Sequence, residues 1–227
     1  GEWRFRRVWM RFRLDFLGGD WARRKQFLRD CYKRLAGLAG ASKQFSGLEG
    51  ELAEFLNDVA ESPSRHFVCI FSGTTHLQEH RGNRPIRMAR VLLDRGIPVL
   101  FSYWRWRRSE KIPQNSTEGL FQAPMDFTVS KLTRIARHEF KQAEKFFVVT
   151  FPHLACARSV NTFNSNGWTT VDDVRDDWAE FCRAGHAEWY DKDIEEYISN
   201  NVDVVTAVSA PLQAKIQKLL RTGKVTL

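Results

Sequence analysis

The stretch HFVCIFSG, residues 66–73, decides the fold class of this chain of 227 residues. It is a short apolar run that ends in Ser-Gly, and such a run predicts a strand that is buried on both faces. Comparable apolar runs recur downstream, with helical patterns or polar loops between them. We predict further strands at residues 97–104, 119–124, 145–153, 169–174 and 202–209, and a last strand that begins at residue 224.

Helical patterns fill most of the intervals between these runs. We predict helices at residues 20–35, 48–60, 85–95, 127–143, 153–164, 187–201 and 210–223. The connections are too long for hairpins, so consecutive strands are expected to be parallel, with helices on both faces of the sheet. The predicted fold class is α/β, a Rossmann-like parallel sheet flanked by helices. We assign residues 65–227 to this domain and residues 1–64 to a basic, mostly helical N-terminal extension.

The net charge of +8 is concentrated at the N-terminus. Residues 1–34 hold eleven Lys and Arg against four Asp and Glu, whereas the remainder holds twenty-four against twenty-three. This nearly neutral remainder argues against a nucleic-acid-binding domain. No apolar run approaches the roughly 18 residues of a membrane span. The start of the chain, GEWRFRR, lacks both an initiator Met and the apolar segment of a signal peptide, so we expect a fragment of a longer protein.

The four cysteines indicate a reducing compartment. They form no C-x-x-C pair, which argues against a zinc ribbon and against a secreted disulfide framework. Their positions are Cys31, Cys69, Cys156 and Cys182. We expect a cytoplasmic protein, and we expect Cys69 and Cys156 to be small core residues.

The loops that follow the strands form the candidate site, because ligands of open parallel sheets bind outside the carboxyl ends of the strands. The loop after the first strand begins with Ser72, Gly73 and Thr74. Gly73 leaves backbone space for a ligand close to the strand end. Arg84 and Arg87, at the start of the next helix, either meet a phosphate there or are solvated helix charges.

Three later loops contribute His153, the pair Asp176 and Asp177, and Ser209. We expect Ser209 to cap the final helix at its N-terminus. His153, at the end of a buried strand, is either a general acid/base, a hydrogen-bond donor to a sugar, or a structural residue.

The stretch TTVDDVRDDWAEF, residues 169–181, is acidic in an otherwise basic chain. Asp172 and Asp173 are expected inside the strand, whereas Asp176 and Asp177 follow it. The later pair either caps the short helical turn that carries Trp178 or lines a ligand site, and a divalent-metal site is a further alternative. Neither G-x-G-x-x-G nor the phosphate loop G-x-x-x-x-G-K-[ST] occurs, so we expect no tightly bound NAD and no P-loop nucleotide.

Three stretches resemble segments of bacterial group 1 glycosyltransferases of the GT-B architecture, in the expected order. RPIRMARVLLDRGIPVLF, residues 84–101, is similar to the first helix and second strand of that family. TTVDDVRDDWAEF is similar to its "vYD…DDW.eF" segment, and DVVTAVSAPLQAKI, residues 203–216, to its following strand and helix. The resemblance covers roughly residues 66–227, and residues 1–60 match no family that we can name.

The resemblance implies an enzyme with two Rossmann-like domains that face each other across a cleft. In that family the N-terminal domain mainly holds the acceptor, and the C-terminal domain mainly binds the nucleotide-sugar donor. This chain resembles the N-terminal domain alone. We therefore expect that the C-terminal donor domain, with its paired glutamates, is absent, and that this part of the protein is inactive by itself.

The resemblance also suggests roles for the candidate residues. His153 lies where the family often has a His that contacts the sugar. Ser72, Gly73 and Thr74 occupy the loop that approaches the donor phosphates, although the Gly-Gly pair of the family is missing. Asp176 and Asp177 match the acidic pair before the Trp, and Ser209 matches the Ser after the sixth strand. Arg84 falls in the matched first helix.

The expected function is sugar transfer from a nucleotide-diphosphate sugar to a glycan or lipid-linked acceptor in cell-envelope polysaccharide synthesis. No cofactor and no metal are expected, since members of this fold are typically metal-independent. Two alternatives remain open. The first is a non-catalytic Rossmann-like binding module that docks to a membrane or a protein partner. The second is a metal-dependent transferase that uses the Asp cluster.

Two stretches, WRFRRVWMRFR at residues 3–13 and YWRWRRSEK at residues 103–111, interleave Arg with Trp. One interpretation is docking on an anionic membrane surface, at the inner face of the cell membrane. The residues in question are Trp3, Arg4, Arg6, Arg7, Trp104, Arg105 and Trp106. The alternatives are nucleic-acid binding, which we do not expect, and core packing of the aromatic rings with the Arg side chains in water.

Overall fold

The structure is a computed structural model, and it describes residues 45–78, 83–105, 107, 110–140, 143–223 and 225–227. The chain divides into two compact units, residues 1–49 and residues 50–227, and the assignment of residues 1–64 to an N-terminal extension stays a prediction. The predicted helix at 20–35 and the candidate residues Trp3, Arg4, Arg6, Arg7 and Trp106 lie outside the described residues.

The described residues contain one sheet of seven strands, and every neighbouring pair in it is parallel. Its strands are β1 (His66–Phe71), β2 (Val99–Tyr103), β3 (Leu120–Pro124), β4 (Glu144–Val149), β5 (Thr169–Val174), β6 (Val204–Ala207) and β7 (Val225–Thr226). Their order across the sheet is β3-β2-β1-β4-β5-β6-β7. This arrangement confirms the predicted α/β, Rossmann-like fold class.

Eight helices are described, and they connect or precede the strands. They are α1 (Ser46–Glu61), α2 (Arg84–Asp94), α3 (Met125–Ser130), α4 (Leu132–Arg137), α5 (Leu154–Asn164), α6 (Trp178–Arg183), α7 (Lys192–Asn201) and α8 (Ala210–Gln217). Within the described ranges, no helix is both long and apolar enough to cross a membrane.

Side chains of β1 alternate between two separate cores, because successive residues of a strand point to opposite faces. Val68 and Ile70 pack with Ile86 of α2 on one face. On the other face, Phe67 contacts Phe55 of α1, with 5.9 Å between ring centroids. Both faces of the sheet are therefore covered, which explains why its central strands are continuous apolar runs rather than alternating ones.

Three predicted helices differ from the structure by more than two residues at one end. The predicted helix 127–143 is two short helices, interrupted at Lys131 and ending at Arg137. The hydroxyl of Ser130 donates to the carbonyl of Phe127 at 2.6 Å, and such side-chain bonds to the backbone compete with a continuing helix. The predicted helix 187–201 begins only at Lys192, because the carboxylate of Asp191 caps it. The last predicted helix, 210–223, ends at Gln217.

Candidate functional site

The switch point of the sheet lies between β1 and β4. The chain leaves β1 towards β2 on one side and leaves β4 towards β5 on the other, so the two connections diverge and leave a crevice at the carboxyl ends of these strands. Ser72, Gly73 and Thr74 follow β1, and the loop Thr150–His153 follows β4. We call this edge of the sheet the carboxyl edge. The parallel order brings all the predicted loops to it.

His153 is the N-cap of α5, the helix that follows β4. Its Nδ1 accepts a hydrogen bond from the backbone N–H of Ala155 at 3.2 Å. Because a backbone N–H can only donate, Nδ1 must be unprotonated, and the proton of the neutral ring resides on Nε2. The imidazole therefore offers a donor at Nε2, and acting as a base there would require the other tautomer and the loss of the cap.

The surroundings of His153 keep its ring neutral. Burial lowers the pKa of His153 below its ordinary value of 6.5. Its ring is stacked on Phe151, with centroids 5.7 Å apart and an angle of 19° between the ring planes. Trp104 and Trp189 meet the same ring edge-on, with centroid distances of 5.0 and 6.0 Å. At neutral pH the group at the switch point is thus an uncharged hydrogen-bond donor among aromatic rings.

The loop after β1 is packed more tightly than the sequence predicts. A Cβ placed on Gly73 would lie 2.9 Å from Cγ of Phe151, so the ring of Phe151 fills the space beside this glycine. Ser72 and Thr74 are buried, and their hydroxyl oxygens lie 2.8 Å apart in a mutual hydrogen bond. The expectation that Gly73 leaves backbone space for a ligand is therefore wrong, because a side chain of the protein occupies that space.

Asp172 and Asp173 lie inside β5, as predicted, and both are buried. Asp172 accepts a hydrogen bond from the hydroxyl of Ser199 at 2.8 Å. Burial raises the pKa of Asp172 to about 7; the Ser199 bond opposes this rise, and the charges of Glu195 and Asp173 add to it. Asp173 instead accepts from the guanidinium of Arg84 and, at 2.9 Å, from the hydroxyl of Thr206.

Asp176 and Asp177 are also held by basic groups. Asp176 pairs with Nε of Arg175 at 3.2 Å, and Arg175 lies over the ring of Trp178. Asp177 caps α6 through the backbone N–H of Glu180 and pairs with Nζ of Lys215 at 2.6 Å. Burial acts to raise the pKa of Asp177, but the hydrogen bonds from Lys215 and from Glu180 outweigh it and lower the pKa. The hypothesis that one of these two residues caps the helical turn is thus confirmed, and Asp177 is the one.

Arg84 and Ser209 serve the fold in this structure. Arg84 is the first residue of α2. Its Nε and Nη2 donate to the carboxylate of Asp173, so these two nitrogens are not available to a phosphate. Ser209 caps α8, where its hydroxyl accepts from the backbone N–H of Leu212 at 3.5 Å. The cap at Ser209 confirms the structural part of its predicted role.

Trp104 lies at the carboxyl edge, although the sequence pattern suggested a membrane-surface role. Its ring contacts Phe151 and His153, and its backbone N–H donates to the carbonyl of Thr74 at 2.7 Å. The side chain of Arg105 is only 5% exposed and pairs with Asp126 at 3.1 Å. In this structure both residues make contacts within the protein, and membrane docking of this stretch stays a prediction.

Trp189 is a residue of this edge that the sequence analysis missed. It lies in the loop between α6 and α7, where its ring contacts Trp178, Phe151 and His153. The predicted helix 187–201 obscured it, because that prediction placed Trp189 inside a helix and not in a loop at the carboxyl edge. The sequence signal for the correct start was Asp191, a favourable N-cap residue directly before Lys192.

The space beneath this edge is too small for a ligand. A cavity of about 10 Å³ lies between the buried acids and the loop after β4, lined by Thr150, Phe151, Pro152, Asp172, Asp173, Val174, Trp178 and Glu195. This is room for about one water molecule, so a larger ligand must lie outside it, above the rings. Among the described residues, no three His, Cys, Asp or Glu side chains converge as a metal site would require.

The chain is similar in fold to solved structures but not in sequence to known families. No protein-family model and no curated protein matches the chain. The fold is similar to a solved structure of an alpha-glucosyltransferase in complex with UDP and a 13-mer DNA containing a central A:G mismatch, with 12% sequence identity and a TM-score of 0.37. The similarity covers 63% of this chain and 37% of that chain, so this chain spans little more than a third of its length.

Proposed function

We propose that this chain is the acceptor-side domain of a nucleotide-sugar-dependent glycosyltransferase. The observation that carries the proposal is the neutral His153, which sits at the switch point of a parallel sheet with Nε2–H as its donor. Its position agrees with the sequence resemblance, which puts a sugar-contacting His after the fourth strand. The resemblance further supports a bacterial group 1 enzyme of the GT-B architecture, which acts in the cytoplasm on cell-envelope polysaccharide.

The role that this geometry supports for His153 is orientation of an acceptor oxygen. An N–H donor binds an oxygen lone pair and leaves the hydroxyl proton of the acceptor free to be transferred elsewhere. The donor substrate would be a nucleotide-diphosphate sugar, and stabilisation of the departing diphosphate would come from basic groups across the cleft. The acceptor would be a glycan or a lipid-linked glycan, and no separate cofactor enters the proposal.

A non-catalytic binding module is the second candidate, and one observation favours it. Basic groups at the carboxyl edge are already paired with carboxylates: Arg84 with Asp173, Arg175 with Asp176, and Lys215 with Asp177. A domain whose basic groups are occupied in this way is less suited to bind a phosphate itself. Such a module would dock to a partner or to an anionic membrane through its basic, Trp-containing N-terminal stretch, which includes Trp3, Arg4, Arg6 and Arg7.

The deciding experiment is a screen for nucleotide release by the full-length gene product. UDP-, GDP- and ADP-sugars are supplied with and without a mixture of glycan acceptors, in EDTA and in Mn²⁺. For the transferase we expect release that depends on acceptor and survives EDTA, and that falls about ten- to a hundredfold in His153→Asn. No release under any condition would favour the module, and release only in Mn²⁺ would favour metal-dependent chemistry.

Docking to a membrane is tested separately by co-sedimentation of the full-length protein with lipid vesicles. We expect binding to vesicles that contain anionic lipid, with loss of binding at high salt, because each Arg contributes roughly 1 kcal/mol near such a surface. Replacing Arg4, Arg6 and Arg7 together with Gln is the matched variant. Equal binding to neutral and anionic vesicles would contradict the membrane part of the proposal.

A further inference from the structure

Four aromatic rings at the switch point form a surface that we call the aromatic cradle: Trp104, Phe151, His153 and Trp189. Phe151 and His153 are stacked in parallel, and each of the two tryptophans meets both of them edge-on. The described contacts include none between the rings of Trp104 and Trp189. Each tryptophan thus joins the cradle through the stacked pair.

Trp104, His153 and Trp189 are only half-buried, so each residue keeps part of its surface in contact with solvent. Phe151, by contrast, is buried and supports His153 from beneath. Trp189 is fixed by its contact with the buried Trp178, at 5.1 Å between ring centroids, and by the turn in which Tyr190 N–H donates to the carbonyl of Ala187. Packing thus fixes the position of Trp189. The rings form an open surface and do not enclose a cavity.

The charge around the cradle argues against a phosphate ligand at this point. Arg84, Arg175 and Lys215 are each engaged by a carboxylate, so they contribute little net positive potential. Arg105, next to Trp104, is paired with Asp126 in the same way. The polar groups that the cradle itself carries are neutral N–H donors, namely Nε2 of His153 and the indole nitrogens of its two tryptophans. Aromatic surface with neutral donors suits a ligand that has an apolar face and hydroxyl groups at its rim.

We propose that the aromatic cradle binds one ring of a neutral sugar, with Trp189 as a further binding residue that the sequence did not identify. This inference rests on the proposed function and narrows the acceptor to an uncharged pyranose at the point of contact. The C–H face of such a ring packs on tryptophan, as other flat or amphipathic rings do, while a hydroxyl accepts from Nε2 of His153. A phosphate or pyrophosphate group of any lipid-linked acceptor would lie away from the cradle.

The test is saturation-transfer NMR on the chain with neutral probes: methyl α- and β-glucopyranoside, methyl α-mannopyranoside and maltose. UDP and inorganic phosphate serve as the charged probes. We expect a neutral sugar to bind, and we expect its Kd to rise about tenfold in Trp189→Leu, which keeps apolar bulk but removes the ring face. Trp189→Phe restores a ring and should recover most of the affinity. Asp94→Asn, at an exposed site in the last turn of α2, should leave sugar binding unchanged.

Each result has one meaning for the proposal. Sugar binding that Trp189→Leu does not weaken, or no sugar binding at all, would overturn it. Binding of UDP or phosphate that Trp189→Leu abolishes would also overturn it, since the cradle would then hold the donor. Nucleotide release in the screen above, without sugar binding to the cradle, would refute this inference and leave the proposed function standing. Cradle-dependent sugar binding without any nucleotide release would support the inference and refute the transferase.

Discussion

Arg84 and Asp173, 89 residues apart in sequence, form a bidentate ion pair that ties the first turn of α2 to the carboxyl end of β5. Nε of Arg84 lies 2.8 Å from Oδ2 of Asp173, and Nη2 lies 2.9 Å from Oδ1. The carboxylate is 2% exposed, whereas the guanidinium side chain is 49% exposed. The net contribution of such a pair to stability is small. Removing one partner is costly, because the other is left as an unpaired buried charge.

We expect Arg84→Ala to lower the free energy of unfolding by about 3 kcal/mol at pH 7, because Asp173 would then retain only the hydroxyl of Thr206. Urea unfolding measures this change. Arg87→Ala is the matched control on the same helix, and its exposed side chain should change stability by no more than about 0.5 kcal/mol. Adding Asp173→Asn to Arg84→Ala should recover part of the loss, because it removes the uncompensated charge. No recovery would contradict this account.

We expect Gly73→Ala to destabilise the protein by about 1–3 kcal/mol, because the added methyl group overlaps the ring of Phe151. Gly50→Ala is the matched control. Gly50 lies within α1 with no atom near its Cβ position, so alanine should stabilise the helix by about 0.5–1 kcal/mol. Thermal or urea unfolding of both variants measures the difference. Opposite signs are the expected result, and a stabilising effect of Gly73→Ala would contradict the overlap with Phe151.

Asp172 should make stability depend on pH between about pH 4 and pH 7. Its pKa rises from an ordinary value of 3.8 to about 7 in the folded protein. Over this window the folded state keeps a proton that the unfolded state releases, so raising the pH favours unfolding. We expect Asp172→Asn to gain stability relative to the parent protein as the pH rises from 5 to 8. The control Asp94→Asn, at an exposed site, should follow the parent protein at both pH values.

Two substitutions separate the contribution of the helix cap made by His153 from that of its Nε2–H donor. His153→Ala removes both, and should cost about 0.5–2 kcal/mol of stability as well as activity. His153→Asn keeps a favourable N-cap residue but loses the Nε2–H of the imidazole, so we expect nearly parental stability with reduced nucleotide release. Urea unfolding and the release screen measure the two effects. Full activity in His153→Asn would remove this residue from the proposed site.

The cap of His153 also predicts a loss of stability in acid. Protonation places a hydrogen on Nδ1, which then cannot accept from the N–H of Ala155. Because burial lowers the pKa in the folded state, this contribution is present above pH 6.5 and is lost as the pH falls through the lowered folded pKa. Relative to the parent protein, His153→Asn should therefore gain stability from pH 7 to pH 5, which urea unfolding at the two pH values measures.

The strands are largely predictable from sequence, because burial on both faces leaves a continuous apolar signal. Thr169–Val174 is predicted to the residue, and the predicted position of α5 is wrong by only one residue. The helix ends are harder to predict, since they depend on single side chains. The carboxylate of Asp191 starts α7, and the hydroxyl of Ser130 helps to end α3. Neither bond has a periodic signature in the sequence.

The position of the site is predictable, but its internal chemistry is less so. Parallel order is enough to bring Gly73 and His153 to one edge, and the sequence pattern implied that order. It does not reveal that Phe151 fills the space at Gly73, because that contact joins two loops 78 residues apart. It also does not reveal that Asp176 is paired with Arg175 next to it rather than directed to a ligand. Such pairings depend on side-chain packing and not on periodicity.

Three residues at the switch point pack in sequence. Gly73 leaves space for the ring of Phe151, and that ring supports the imidazole of His153. Evolution would therefore conserve or exchange these three positions as a set. In homologues where position 73 carries a side chain, we expect a smaller residue at position 151. We expect the imidazole at position 153 to be lost from the same sequences, so that the three positions covary among homologues.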